Sequence, residues 1–316
     1  MHPHLTPLAE AAVERQHAAP RGGLAAALVQ AMRPRQWAKN VFVFAGLVFA
    51  GKLFDARSLE RALAAFVAFS AAASAVYLVN DVADRKADAH HPEKRFRPIA
   101  SGRLPVTLAL AAAALLGAGA IATSYRLSTQ TLAVLAIYLA QSFAYSAGLK
   151  RVFLLDAFVV AIGFVLRAAM GAEAVRALIS PWLLVCSFLL ALFLVLGKRR
   201  REVELLGEGA GQHRAVLLGY SARLVDGWLT ALSGATIVAF ALYTQAGSTV
   251  ANFHTTALVY TVPFVVYALF RYQAMVVAGD GGDPTSAVLR DKGILVAVAG
   301  WALTAGAIIY GPAWLK

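Results

Sequence analysis

The sequence is a succession of apolar runs, roughly 18 to 24 residues long except for a shorter first one that Gln36 could begin. They lie near 40–54, 59–80, 105–124, 128–147, 153–172, 180–197, 221–246, 254–272 and 293–312. A run of that length fits one helical crossing of a bilayer, where every backbone amide must be satisfied within its own segment. A soluble domain of 316 residues would not carry 59% hydrophobic residues. Because nearly every long element is apolar all round, the pattern predicts an all-α polytopic membrane protein of about nine transmembrane helices. The run at 40–54 is the shortest of them.

The net charge is +12, and its placement sets the topology. Most of the 29 Lys and Arg residues fall on the side that also holds the N-terminus. The other side holds Lys52, Arg57, Arg61, Arg126, Arg176 and Lys316, and Arg167 lies within a run. The positive-inside rule then predicts a plasma (inner) membrane protein with a cytoplasmic N-terminus and an external C-terminus. Contact with anionic membrane lipid accounts for the basic face. Nucleic acid is excluded as a partner, because the charge is spread over short loops without a binding module. The single Cys186 allows no intrachain disulfide and reads as an inert buried thiol. Residues 1–21 lack the features of a signal peptide. The division expected is a polar tail with an interfacial helix at 1–32, then a transmembrane catalytic domain at 33–316.

One stretch, Tyr77 to Pro98, concentrates the chemistry. It follows the run at 59–80. If that helix continues, Asn80, Asp84 and Asp88 recur at i, i+4 and i+8, with Asp81 at the flank. Carboxylates so close repel, and a divalent cation would offset them. Oxygen-only ligands suit magnesium, commonly as a bridge to substrate phosphates. Asn80, Asp84 and Asp88 are the expected metal face, with Asp81 and Asp84 the catalytic carboxylates. Arg85, Lys86, Lys94, Arg95, Arg97 and Arg103 follow at once. His91-Pro92 and Arg97-Pro98 break helical backbone, so 91–104 is expected to cap the site as loop and short helix. Pro105 suits the first turn of the next run.

Other charged residues are candidates to join this site. Trp37 reads as an interfacial anchor, and Lys39 beside it either shares that role or binds phosphate. Asp156 and Arg167 interrupt apolar sequence and should face the bundle interior, because a charge in lipid costs about 2.5–3.5 kcal/mol. A structural ion pair is the alternative for both. Lys198-Arg-Arg-Arg-Glu202 is first a topology signal. Yet Lys198 and Glu202 stand at i and i+4, so Glu202 could orient the lysine. His213, Arg214, Tyr220 and Arg223 are weaker candidates. Pro263 is expected to kink its run. In the last loop Asp283 caps a short helix with Pro284 in its first turn, and Asp291 is a partner for cations. The glycines at 279–282 lack phosphate-loop spacing, and there is no fixed repeat.

A magnesium-diphosphate site at a membrane surface suits two reactions. It can pass a prenyl chain from its diphosphate to an acceptor. Or it can bind a different diphosphate and leave the lipid as acceptor. Here Asn80-Asp-Val-Ala-Asp-Arg-Lys-Ala-Asp88 resembles the first Asp-rich motif of the UbiA-type intramembrane prenyltransferase superfamily. The resemblance covers nearly the whole chain after residue 30. It implies about nine helices around a central cavity capped by cytoplasmic loops, with the active site at the cytoplasmic face. The superfamily's usual second Asp-rich motif is absent: Lys198-Arg-Arg-Arg-Glu-Val-Glu-Leu205 contains no Asp.

That departure, with Arg33 to Asn40, His91 to Gly102, Leu155-Asp156, Leu166-Arg167 and Gly197 to Glu202, looks like the decaprenyl-phosphate phosphoribosyltransferase branch. The resemblance implies transfer of 5-phosphoribose from phosphoribosyl pyrophosphate (PRPP) to a polyprenyl phosphate. The product would be a precursor for cell-envelope glycans. One Mg2+ would serve the diphosphate. Lys39, Lys94, Arg95, Lys198 and Arg199 would hold phosphates in place of a second metal. Tyr77, Lys150, Asp156, Arg167 and Glu202 would support the site, Lys150 with Asp156 by orienting the acceptor phosphate or ribose hydroxyls. A homo-oligomer is compatible with this reading. The alternatives are an ordinary prenyltransferase with an aromatic or lipid acceptor, against which the missing motif argues, and a lipid transporter, for which repeats and broken midplane helices are lacking.

Overall fold

The computed structural model describes residues 23–92, 94–177, 180–206, 215–279, 287–288 and 290–314. Among them every regular element is helical. The chain opens with α1, Leu24–Met32, which ends at Arg33 in left-handed backbone (φ 56°). A 3-10 helix, Pro34–Phe44, runs directly into α2, Ala45–Phe49. Next come the long α3, Ala56–Ala83, and the short α4, Arg85–Ala89. A 3-10 turn at Lys94–Phe96 precedes α5, Val106–Leu127, and α6, Thr129–Ala147. Then follow α7, Leu155–Ala174, and α8, Pro181–Leu206. The remainder is α9, Ala222–Gln245; α10, Gly247–Phe253; α11, Val262–Val277; and α12, Lys292–Trp314.

Polar residues at the run boundaries start several of these helices. Asp55 Oδ2 accepts from the Ser58 N–H at 2.9 Å, Ser128 Oγ from Thr131 at 3.0 Å, and Ser221 Oγ from Leu224 at 3.2 Å. Each satisfies an N–H that the helix itself leaves open.

Among the described residues seven helices are long and apolar enough to cross a membrane: α3, α5, α7, α8, α9, α11 with its 3-10 lead from Ala257, and α12. Two of the nine expected runs take another form. The run at 40–54 is divided between the 3-10 helix and the five-residue α2, and the chain then turns at Gly51 (φ 67°). The run at 128–147 is a helix of 19 residues, but Thr129, Gln130, Gln141, Ser142 and Ser146 dilute its apolar character. Pro263 does not kink a helix. It sits in the first turn of α11, after a 3-10 turn at Ala257–Thr261, where its missing N–H costs nothing. The polar tail expected at 1–21, Glu93, His213, Arg214, the cap at Asp283 with Pro284, and Lys316 lie outside the described residues.

The chain divides into two compact units, residues 1–37 with 70–120, and residues 38–69 with 121–316. In the first, Ala27 and Ala31 of α1 pack with Ala75 and Leu78 of α3, Ile99 and Leu104 of the following loop, and Ala109 and Ala113 of α5. So many alanines let helix backbones approach closely. Ser74 adds a polar tie: its hydroxyl accepts from Trp37 Nε1 at 3.0 Å and lies 3.0 Å from the Met32 carbonyl.

In the second unit α8 packs on α7, α9 and α11. The core joins Ala157 and Ala161 to Phe193, Leu196, Leu229, Tyr272 and Ile294. The segment around α2 lies directly on the end of α7. A Cβ at Gly171 would run into the Val43 carbonyl, and one at Gly46 into the Ala172 backbone. Glycine at both positions is what permits this contact.

Candidate active site

The acidic stretch lies in the first unit. Helix α3 ends at Ala83, and Asp84 (φ −85°, ψ 0°) joins it to α4. Helical hydrogen bonding nevertheless carries across the joint. The Asp84 N–H donates to the Asn80 carbonyl and the Asp88 N–H to the Asp84 carbonyl, both at 2.8 Å. The four side chains have different fates. Asp81 and Asp88 are buried, Asn80 is half-buried, and Asp84 is exposed.

Arginines balance the two buried carboxylates. Arg97 Nη1 donates to Asp88 Oδ2 at 2.7 Å and to Asp81 Oδ1 at 3.1 Å. Arg33 Nη2 donates to the same Asp81 oxygen at 2.6 Å. Tyr77 presents its ring 4.7 Å from the Arg33 guanidinium, a cation–π contact that steadies the arginine. At Asp81 and Asp88, guanidinium groups thus offset the carboxylate repulsion from which a metal was expected. Sequence reasoning offers pairing of these carboxylates with Arg85, Lys86 and the loop cations as the alternative to a metal; it does not single out Arg97 and does not foresee Arg33. The usable signals were the buried spacing of Asp81 and Asp88, seven residues apart, and the two Arg-Pro pairs, Arg33-Pro34 and Arg97-Pro98, which place each arginine at a break in helix.

Asp84 and Asn80 remain as oxygen donors toward solvent. The Asp84 carboxylate has no hydrogen-bond or ion-pair partner among the described residues. Among these residues no three His, Cys, Asp or Glu side chains are grouped closely enough to hold a metal unaided. Magnesium does not need such a cage. It takes one or two protein carboxylates and completes its shell with water and substrate phosphate. The donor chemistry of Asp84 and Asn80 fits that ion. Lys94 and Arg95 are exposed in the same unit, and Arg95 stacks on Phe96 with 4.8 Å to the ring centroid.

In the second unit the cationic end of α8 forms a buried network. Asp156 is fully buried. Its Oδ2 accepts from Arg199 Nε at 2.8 Å and its Oδ1 from Tyr220 Oη at 2.6 Å. Arg199 Nη1 donates to Glu202 Oε2 at 2.6 Å. Arg199 is thus engaged within the protein, whereas Lys198, half-exposed, stands 4.0 Å from Glu202 Oε1. Lys150 lies half-buried in a 3-10 turn, Leu149–Arg151, and the Asp156 oxygens are bound by Arg199 and Tyr220 instead. Burial, followed by the bond to Asp156, pushes the Tyr220 phenol pKa well above its ordinary value. Tyr220 was only a weak candidate in the sequence, because nothing local ties it to Asp156.

Asp156 and Arg167 do not pair with each other. Arg167 is buried, donating from Nε to Asn40 Oδ1 at 2.7 Å and from Nη1 to the Gly163 carbonyl at 2.6 Å. The rings of Phe69, Phe164 and Tyr138 surround its guanidinium at 4.9, 5.1 and 5.3 Å. Aromatic faces and amide oxygens thus solvate this cation in apolar sequence. Lys39, next to Asn40, is half-buried on the 3-10 helix.

Comparison with known proteins follows the same lines. Over 299 residues the chain is 36% identical to a decaprenyl-phosphate phosphoribosyltransferase of Mycobacterium tuberculosis, covering 92% of this chain and 96% of that protein. It is 37% identical to a protein of the same name from Corynebacterium glutamicum, over 89% of this chain and 86% of that one. Its fold matches a UbiA homolog from Archaeoglobus fulgidus bound to GPP and Mg2+ with a TM-score of 0.68, at 17% identity, over 90% of this chain and 99% of that one. Residues 40–292 match the UbiA prenyltransferase family, and with that match spanning both the acidic stretch and the cationic end of α8, this multi-pass membrane chain belongs to the UbiA prenyltransferase family.

Proposed function

We propose that this protein transfers 5-phosphoribose from PRPP to a polyprenyl phosphate such as decaprenyl phosphate, releasing diphosphate. The observation that carries this reading is the likeness to proteins named for that reaction along almost the entire chain. The arrangement of charges agrees with it. The end of α8 carries Lys198 and three arginines with Glu202 and Glu204 but no Asp; the arginines are paired within the protein, and Lys198 is the half-exposed cation there suited to a phosphate group.

In the reaction a phosphate oxygen of the acceptor attacks C1 of the ribose. The bond from C1 to the diphosphate oxygen breaks, and diphosphate leaves with the electron pair. An ionised phosphate monoester needs no general base. Asp84 and Asn80 would hold magnesium, which when bound offsets the charge that develops on the departing diphosphate. Arg97 and Arg33 fix the buried Asp81 and Asp88, and so hold α4 and the helix end before it in place. Asp88 and Asp81 thus act on Asp84 through the backbone they anchor. Lys94 and Arg95 are exposed cations of the first unit for substrate phosphate, and Lys39 and Lys198 are the candidate phosphate-binding cations of the second. Asp156, Tyr220 and Glu202 lock Arg199, which sets the end of α8 from which Lys198 projects. Arg167 fixes Asn40 and with it the segment that carries Lys39. The distribution of Lys and Arg supports a plasma-membrane protein with a cytoplasmic N-terminus and a cytoplasmic active site.

The test is transfer of label from radiolabelled PRPP into the lipid phase by purified protein with polyprenyl phosphate and magnesium. Transfer that disappears in the Asp84→Ala variant and without divalent metal supports the reading. If the protein instead moved a prenyl chain from a polyprenyl diphosphate to an aromatic acceptor, the ordinary prenyltransferase reading would replace it.

A further inference from the structure

Arg33 and Arg97 meet on one atom. Arg33 Nη2 and Arg97 Nη1 both donate to Asp81 Oδ1, at 2.6 and 3.1 Å. The Asp81 side chain is buried, while the two arginine side chains remain 31% and 30% exposed. A single carboxylate thus holds two guanidinium groups side by side at the edge of solvent, within the first unit.

Neither arginine is fully used by this pairing. A guanidinium carries five N–H donors in a flat fork, and a close structural pair engages two of its nitrogens. Arg271 binds Asp291 in that way, with Nε and Nη2 at 3.2 and 2.9 Å from Oδ2. Arg33 and Arg97 instead each bind carboxylate through one nitrogen, Nη2 and Nη1 respectively. The Nε and the other Nη of both make no hydrogen bond among the described residues. The Tyr77 ring lies against the Arg33 guanidinium and fixes the plane in which its free N–H groups lie.

Balancing two carboxylates does not require this geometry. Two cations drawn to one oxygen repel each other, and an anion held between their free edges offsets that repulsion. Phosphate suits the place, because its oxygens match the guanidinium fork. The place also adjoins the residues suited to magnesium. Asn80 precedes Asp81 directly, and Asp84 follows it after a helical rise of about 4.5 Å.

We propose that Arg33 and Arg97 together bind a phosphate monoester, the 5-phosphate of the ribosyl donor. This assignment rests on the proposed function, in which the diphosphate end of the same molecule goes to magnesium at Asn80 and Asp84. PRPP carries its two phosphate groups on either side of a ribose, so a site for it needs a second anion pocket beside the metal. A prenyl diphosphate has no group for that pocket. The two arginines therefore determine specificity: they favour a phosphorylated sugar over a prenyl chain as the group to be transferred. Asp81 is the positioning residue that holds them together.

The experiment is isothermal titration calorimetry on the purified full-length protein in detergent with magnesium. The ligands are ribose 5-phosphate, inorganic diphosphate and farnesyl phosphate, the last a short stand-in for the acceptor. Arg33→Lys and Arg97→Lys keep a positive charge beside Asp81 but lack the second nitrogen of the fork. Each should weaken ribose 5-phosphate by about tenfold or more and leave diphosphate and farnesyl phosphate within about twofold of wild type. Arg271→Lys, in the second unit, should leave all three unchanged. On the unaltered protein, ribose 5-phosphate should slow modification of Arg33 and Arg97 by phenylglyoxal, read by peptide mass spectrometry, so the test does not depend on a variant that folds. An unchanged ribose 5-phosphate affinity in both lysine variants, an equal loss for diphosphate, a loss confined to farnesyl phosphate, or no protection of the two arginines would overturn the proposal. If the unaltered protein bound a prenyl diphosphate but neither ribose 5-phosphate nor PRPP, the proposed function would fall with it. Binding of ribose 5-phosphate that is indifferent to Arg33 and Arg97 would sink only the assignment to this pair.

Discussion

Arg199 donates to Asp156 across 2.8 Å, with both side chains almost fully out of solvent. One comes from the first turn of α7 and the other from near the end of α8, so the pair joins two helices through a full positive and a full negative charge. Removing one partner leaves the other buried and uncompensated. Asp156→Ala should therefore cost about 3–5 kcal/mol, read as a large fall in melting temperature in detergent. Tyr220→Phe removes one bond to the same carboxylate and should cost about 1.5–3 kcal/mol. Equal melting temperatures for wild type and Asp156→Ala would show that the network carries no stability.

The Tyr220 phenol also sets a pH dependence. Its folded-state pKa lies above the ordinary tyrosine value, because burial and the neighbouring Asp156 oppose the phenolate. Its stabilising contribution is fully present below the unfolded pKa of about 10. It is lost as pH rises from there toward the folded value. The stability gap between wild type and Tyr220→Phe should thus be constant at neutral pH and narrow in alkali. A gap that widens with alkali would contradict the assignment.

Variants at Asp84 and Asp88 should separate function from folding. Asp84 is exposed, without a partner among the described residues, so Asp84→Asn should change stability by no more than about 0.5 kcal/mol. Its transfer activity should fall on the order of 100-fold or more. Asp88→Asn instead weakens a buried bond to Arg97 and should cost about 1.5–3 kcal/mol in stability. Melting curves and initial rates on the same two preparations test both statements. The reading fails if Asp84→Asn unfolds and Asp88→Asn does not.

Close backbone contact predicts the effect of a single methyl group. Gly171→Ala would set a Cβ against the Val43 carbonyl, a backbone atom that cannot move aside cheaply, and should cost about 1–3 kcal/mol. Gly117→Ala, in α5, meets nothing within 4 Å, and should stabilise the helix by about 1 kcal/mol. The two variants are to be compared by thermal unfolding under one detergent condition.

The membrane class was legible because a bilayer imposes it locally. Twenty apolar residues with satisfied backbone are a helix whatever lies around them. The i, i+4, i+8 register of Asn80, Asp84 and Asp88 was legible for the same reason, since helical periodicity is a local property. The 3-10 form of Pro34–Phe44 was not, because an apolar run does not by itself separate a 3-10 helix from an α-helix, and its close packing on Gly171 and Ala172 was not legible either. Gly46 lies within the run at 40–54, but nothing near it in the chain names Gly171 and Ala172 as its partners.

The sequence by itself determined which segments are helical and apolar, and that carboxylates and cations gather in a few short stretches. Only the tertiary structure decided which charge meets which. Asp81 and Asp88 turn to Arg33 and Arg97 and leave Asp84 to solvent. Asp156 turns to Arg199 and Tyr220 instead of Lys150, and Arg167 is held by aromatic rings and Asn40. The physical reason is range. Helix formation and burial depend on neighbours within a few residues, so they are written along the chain. Pairing of charges depends on distance in space and on the loss of water around both partners, and those are set only when remote segments pack.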